Sequence, residues 1–205
     1  MLNKNKARKM FGAALAYCKK NHKDELEWAK GIGPDTFNRL TVKGFLGIYC
    51  WVVYASGFKV STVEAIFPRL KKAYNGFNLE SLALMKSPIK ALKVFNNKRK
   101  ANSFLAGCKA IASEGYTTFK QRVKVQGISA LEELNGIGPI TKFHLAKEIG
   151  LIDEAKPDVW LERAAKTCNT TVNELVTYLS KENKMKRNVV DVVLWRYGAD
   201  KKLGL

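Results

Sequence analysis

Apolar residues along the chain recur at three- and four-residue steps, the repeat of helices with one buried side. In residues 1–20, Met10, Phe11, Ala14 and Leu15 form such a stripe against Lys4, Lys6, Arg8, Lys9, Lys19 and Lys20. Phe45 to Ala55 is nearly all apolar and predicts a central core helix, too short to span a bilayer. Ser56-Gly57-Phe58-Lys59 ends it, and Ser61-Thr62-Val63-Glu64 has the form of a capping box for the next helix. Pro68 is expected to kink or break that helix. Ser87-Pro88 opens another. Ala101, Phe104, Leu105, Cys108, Ile111 and Ala112 then keep helical spacing until Gly115. Thr171-Val172-Asn173-Glu174 is a further capping box, with Leu175, Tyr178 and Leu179 turned inward. Val189 to Tyr197 reads as a last helix with Trp195 in the core. No run alternates with period two, so the expected fold is almost entirely α.

The pattern tightens around Leu134-Asn135-Gly136-Ile137-Gly138-Pro139-Ile140-Thr141. Ser129-Ala130-Leu131-Glu132 is a capping box, predicting a short helix from Ala130 that Asn135 and Gly136 terminate. Pro139 suits the first turn of a second helix, whose apolar side is Ile140, Phe143, Ala146 and Ile149, with Gly150 as its stop. At such a turn the N–H groups of Ile137, Gly138 and their neighbours are expected to point outward, where a phosphate could sit. An ordinary helical hairpin with a glycine turn would carry the same residues. Gly31-Ile32-Gly33-Pro34 echoes the motif without a periodic flank, and reads as a turn opening a short helix at Pro34.

Charge narrows the partners. The 205 residues hold 36 Lys and Arg against 18 Asp and Glu, a net +18, and hydrophobic content of 46% is ordinary for a globular chain. An excess of that size points to phosphate polyanions or anionic membrane. The basic N-terminus lacks an apolar signal core, and no lipid-seeking helix with Trp or Phe anchors stands out. A phosphate polyanion is therefore the expected partner class, and a cytoplasmic setting is expected, nucleoid-associated in a bacterium. Cys18, Cys50, Cys108 and Cys168 are scattered, with neither a C-x-x-C pair nor metal-ligand spacing, and are expected as free thiols.

Downstream, Lys156-Pro157-Asp158-Val159-Trp160 brings an acid after a proline, with Asp158 as a natural N-cap for a helix over 159–165. In order and spacing, the glycine hairpin and this aspartate resemble the helix-hairpin-helix (HhH-GPD) DNA glycosylase superfamily, which includes endonuclease III and adenine glycosylase. The likeness spans most of residues 40–200 and is diffuse outside these two motifs. It implies two helical lobes with a DNA cleft between them. Residues 45–145 would form one lobe ending in the hairpin, and residues 1–44 with 146–205 the other. The resemblance makes Asp158 the catalytic carboxylate. It gives DNA-backbone contacts to Gly136, Ile137, Gly138, Thr141, Lys142 and Lys156, and to the cations of Phe95-Asn96-Asn97-Lys98-Arg99-Lys100.

Eighteen positions separate Ile140 from Asp158, as in endonuclease-III-like members, but lyase-type members hold a Schiff-base lysine where this chain has Ile140. The implied enzyme is a monofunctional monomer acting on double-stranded DNA. The resemblance implies no cofactor beyond a monovalent cation at the hairpin. The four-cysteine iron–sulfur cluster of many relatives has no counterpart. The residue filling the gap left by an extruded base falls on Ser56, Gly57 or Phe58, where relatives use Gln. Trp51, Tyr54, Phe143, His144 and Trp160 are candidate pocket walls beside Ile140; each is equally an ordinary core or surface residue. Two functions stay open on this reading. One is excision of an alkylated purine, a mispaired or oxidised base, or a bulky modified pyrimidine of phage DNA, the last in a defence role. The other is a non-catalytic DNA-binding module, which needs no acid at 158.

Overall fold

A computed structural model describes residues 1–200, and every regular element among them is helical. In chain order these are α1 (Lys4–Asn21), α2 (Lys23–Gly31), α3 (Pro34–Arg39), α4 (Val42–Ala55) and α5 (Val60–Ala73). A 3₁₀ turn at Asn75–Phe77 follows, then α6 (Leu79–Ala83), α7 (Ile89–Val94), α8 (Lys98–Glu114), α9 (Tyr116–Gln126) and α10 (Ile128–Glu132). The chain continues through α11 (Thr141–Glu148), α12 (Val159–Thr167), α13 (Val172–Asn183) and α14 (Arg187–Ala199). No helix among the described residues is long and apolar enough to cross a membrane.

The helices belong to two compact units. Thr36–Leu151 is one, and Met1–Asp35 with the chain from Ile152 onward is the other. The boundaries expected at 44/45 and 145/146 move outward, so residues 36–44 and 146–151 belong with the central unit. One reason lies in side chains. The Tyr116 hydroxyl and the Lys120 ammonium donate to the Leu40 carbonyl, both at 3.0 Å, tying residue 40 to α9.

In the central unit α4 packs against α5, α8 and α11. Being apolar all round, α4 has no polar face to turn outward, and it buries Phe45, Leu46, Tyr49, Cys50, Val52, Val53 and Tyr54. Rings from three helices and from Tyr74, just past the end of α5, meet there: Tyr49 lies 5.2 Å from Phe104, Phe45 5.1 Å from Phe119, and Tyr74 4.6 Å from Phe104, centroid to centroid. Each such fully buried side chain contributes about 1.5–3 kcal/mol of burial free energy. The terminal unit is built round α14, whose Val189, Val190, Val193 and Leu194 meet Phe11 and Ala14 of α1, Leu26 of α2, Leu161 of α12 and Leu175 of α13. Trp195 packs only at the edge of this core.

Helix starts follow local chemistry unevenly. Asn3, Thr41, Asn78, Asn97, Asp158 and Thr171 each accept a backbone N–H in the first turn of the helix they precede. Ser129 and Ser61 do not. α10 starts at Ile128, because Gly127 (φ +65°) ends α9 and opens α10 at one residue; the Ser129 hydroxyl donates instead to the Gln126 carbonyl. α5 starts at Val60 behind Lys59, which leaves Ser61 inside the first turn. Pro68 does not end α5 as expected. The helix runs through it, with Pro68 and Glu64, four residues before it, both on the exposed face.

Candidate functional site

The glycine loop is the eight-residue connection between α10 and α11. Gly136 has φ +85°, a conformation that L side chains rarely adopt. It also lies flat on α4 and α8: a Cβ there would sit 3.0 Å from Ser103 Cβ and 3.4 Å from Val53 Cγ2. The preceding residue is tied down as well, since the Asn135 carbonyl accepts a hydrogen bond of 2.5 Å from the Tyr49 hydroxyl. Gly138 is the opposite case, with nothing within 4 Å of a Cβ built on it. One glycine is there for the protein's own packing, the other leaves open space.

The amides differ from expectation. The Ile137 N–H donates to the Leu134 carbonyl at 2.9 Å, and the Gly138 N–H to the Thr141 hydroxyl at 2.7 Å. Both are committed within the loop, and the Ile137 side chain is buried. The first carbonyl of the α11 ladder is that of Gly138, bonded by Lys142 N–H, so the amides of Ile140 and Thr141 sit at the helix N-terminus, where the ladder supplies no acceptor. At the far end, Gly150 (φ +76°) donates to Lys147 and Leu151 donates to Ala146, which closes α11 in a Schellman motif.

The inner side of α11 is Leu145, Ala146 and Ile149; Ile140 is 46% exposed and Phe143 only half-buried, correcting the stripe expected through them. Lys142 pairs with Glu132 across the loop and lies 5.8 Å over the Phe143 ring, so its charge is partly spent in closing the hairpin. Arg122 of α9 adds a second clasp, gripping Glu114 at 2.8 and 2.9 Å and reaching Glu133 at the loop's start. The carbonyls of Leu134, Asn135 and Gly138 each accept a bond inside the protein. These are three of the loop oxygens a monovalent cation would draw on. A cation there would share oxygens that already accept a hydrogen bond.

Asp158 is held at three points. Its Oδ1 accepts the N–H of Trp160 at 2.9 Å and of Leu161 at 3.2 Å, while Oδ2 lies 3.1 Å from the Lys156 ammonium. Its side chain is 14% exposed. The carboxylate thus caps α12 with one oxygen and presents the other beside a cation, whose own charge also lies 6.0 Å over the Trp195 ring. Trp160 is half-buried in the first turn of α12 beneath the Arg163 guanidinium at 4.9 Å, and Val159 beside it is exposed.

The other candidates separate. Tyr54 is wholly buried and its hydroxyl meets that of Tyr74 at 2.8 Å, so it belongs to the core and lines no pocket. Trp51 packs edge-on to Phe67 at 5.3 Å, and His144 faces Glu148 one turn on at 3.3 Å. Ser56, Gly57 and Phe58 are all exposed after α4. Phe58 is 41% exposed, with its ring edge-on to Phe95 at 5.0 Å and the Lys100 ammonium 5.1 Å over it.

Lys100 is not a solvated phosphate ligand. Its ammonium donates to the carbonyls of Val53 at 2.6 Å and Ser56 at 2.7 Å, capping the end of α4, and burial together with nearby Arg99 pulls its pKa down to about 8. Lys100 and Tyr49 escape a reading of pattern alone. The one available signal was Gly107, a lone glycine inside the α8 pattern, which marks a close approach. Among the described residues no group of three or more His, Cys, Asp or Glu is placed to hold a metal ion. No family model, no curated protein and no solved structure matches the chain.

Proposed function

We propose that the protein is a monofunctional DNA glycosylase, hydrolysing the N-glycosidic bond of a modified base turned out of duplex DNA and leaving an abasic site. The observation that carries this reading is the Asp158 carboxylate: anchored through Oδ1 to two backbone N–H groups, it keeps Oδ2 on a cation and follows a loop whose second glycine borders open space. As the base departs, positive charge develops at the sugar's anomeric carbon and ring oxygen. A carboxylate fixed in one rotamer stabilises that charge without reorganising and can orient the attacking water. Lys156 holds the carboxylate in place; the loop serves as a clamp on the sugar–phosphate backbone, through the Ile140 and Thr141 amides at the start of α11. Extruding the base costs roughly a few kcal/mol, which backbone contacts and the large positive charge offset.

That Ile140 offers no amine and that Lys142 is paired with Glu132 support a mechanism with no Schiff base and no strand cleavage. Trp160 is the aromatic nearest in sequence to Asp158 and is the candidate for stacking on the extruded base. The substrate classes are an alkylated purine, a mispaired or oxidised base, or a bulky modified pyrimidine of phage DNA.

The test compares wild type with Asp158→Asn on duplexes bearing each class of base, with alkali to reveal abasic sites. Asn caps a helix as well as Asp does, so folding and DNA affinity should survive while base release is lost. No release by the wild type on any substrate, with DNA binding intact, leaves the non-catalytic DNA-binding module as the function.

A further inference from the structure

The eight-residue glycine loop is long for a rigid clamp, and only part of what fixes it lies within the loop. From outside comes Tyr49 of α4, whose ring is fully buried and whose hydroxyl meets the Asn135 carbonyl at 2.5 Å and the Ser103 carbonyl at 3.4 Å. To reach that point the ring crosses α8 where Gly107 stands; any Cβ at 107 would collide with the Tyr49 hydroxyl and ring. One turn before Gly107, Ser103 is the residue on which Gly136 rests. A buried glycine inside a helix costs about 1 kcal/mol relative to alanine, and here that cost makes room for a single phenol. Burial pushes that phenol far above its ordinary pKa, so it remains a donor across the working range.

We infer that Tyr49, passing through the notch at Gly107, is a positioning residue that sets the height of the 134–141 loop for its grip on the DNA backbone. This rests on the reading of the loop as a backbone clamp but not on base excision. Fixing the Asn135 carbonyl fixes the peptide joining Asn135 to Gly136, and with it the turn that starts α11. Without the hydroxyl, the loop keeps its covalent path and the Arg122 and Lys142 clasps but loses the Tyr49 bond that ties it to the aromatic core.

The experiment pairs Tyr49→Phe with Tyr74→Phe, which removes an equally buried hydroxyl whose partners, Tyr54 and Ala101, lie outside the loop. Global stability, amide exchange at Ile137 and Gly138, and affinity for an unmodified duplex are measured for both. Both variants should lose similar stability. Tyr49→Phe alone should quicken exchange at the two loop amides and weaken duplex binding by about tenfold, the equivalent of one hydrogen bond. The salt dependence of binding should not change, since no cation is removed. Unchanged exchange, or quickened exchange with unchanged affinity, overturns the inference, as does an equal loss of affinity in Tyr74→Phe. A Tyr49→Phe chain that fails to fold overturns it too, because the residue is then a core support. If both effects appear while the wild type releases no base, the positioning role stands and the glycosylase reading alone falls.

Discussion

Replacing each loop glycine by alanine separates the loop's architecture from its function. At Gly136 the methyl group meets two penalties. A non-glycine residue at φ +85° costs about 1–3 kcal/mol. The Cβ would also lie 3.0 Å from Ser103 Cβ and 3.4–3.5 Å from both Val53 methyls, so the loop must lift by a few tenths of an ångström from two helices. Lifting it strains the neighbouring Tyr49–Asn135 bond, so a total of roughly 2–4 kcal/mol is expected. For a chain of this size that lowers Tm by about 5–15 °C. At Gly138 the same change meets no neighbour within 4 Å and no left-handed backbone. Restricting the unfolded chain should leave stability equal or raise it by about 0.4–1 kcal/mol. Yet the new methyl projects where a sugar–phosphate strand would approach, and loss of one close backbone contact weakens binding by about tenfold. Calorimetry and fluorescence anisotropy on a labelled duplex at fixed salt read the two effects. Equal stability of Gly136→Ala and wild type refutes the packing argument; wild-type affinity in a folded Gly138→Ala refutes the clamp.

Further consequences follow from single contacts. Asp158→Ala should cost about 0.5–2 kcal/mol through loss of the α12 cap, and Asp158→Asn much less; equal melting of all three proteins would mean that α12 does not depend on this cap. Lys100 has a folded pKa lowered to about 8, below its unfolded value, so the unfolded chain binds more protons above that pH. Its burial cost is therefore fully present below pH 8 and is relieved as pH rises towards about 10.4. Melting curves should show wild type gaining on Lys100→Met across that window, and parallel curves refute the assignment. Cys50 and Cys108 are wholly buried, burial raises both thiols, and burial raises Cys18 to about 11. Alkylation by iodoacetamide at pH 8 should be slow until denaturant is added, and rapid labelling of any of the three in the folded state contradicts the packing.

The helices were legible because their apolar spacing carries its own period, and what escaped was decided by contacts that spacing does not encode. Thr171 and Asp158 behave as their sequence signatures require, since an N-cap acts within four residues of itself. Ser61 and Ser129 carry the same signatures and fail. In each a glycine or a short connection had already turned the chain one or two residues earlier, and a hydroxyl inside the first turn has no N–H left to cap. Tyr54 fails as a pocket wall for a different reason. α4 is apolar on every side, so nothing in its sequence distinguishes Tyr54, sealed in the core against Tyr74, from Tyr49, which reaches through α8 to the loop. Only the partner helix tells them apart, through the missing side chain at Gly107. The charge is likewise uneven in a way the total hides: Thr36–Leu151 holds 18 cations against 6 acids, while the rest of the chain, with as many cations, holds 12 acids. The unit that contains the glycine loop therefore carries two-thirds of the net charge. A polyanion drawn to the protein by long-range attraction is therefore drawn first to that unit.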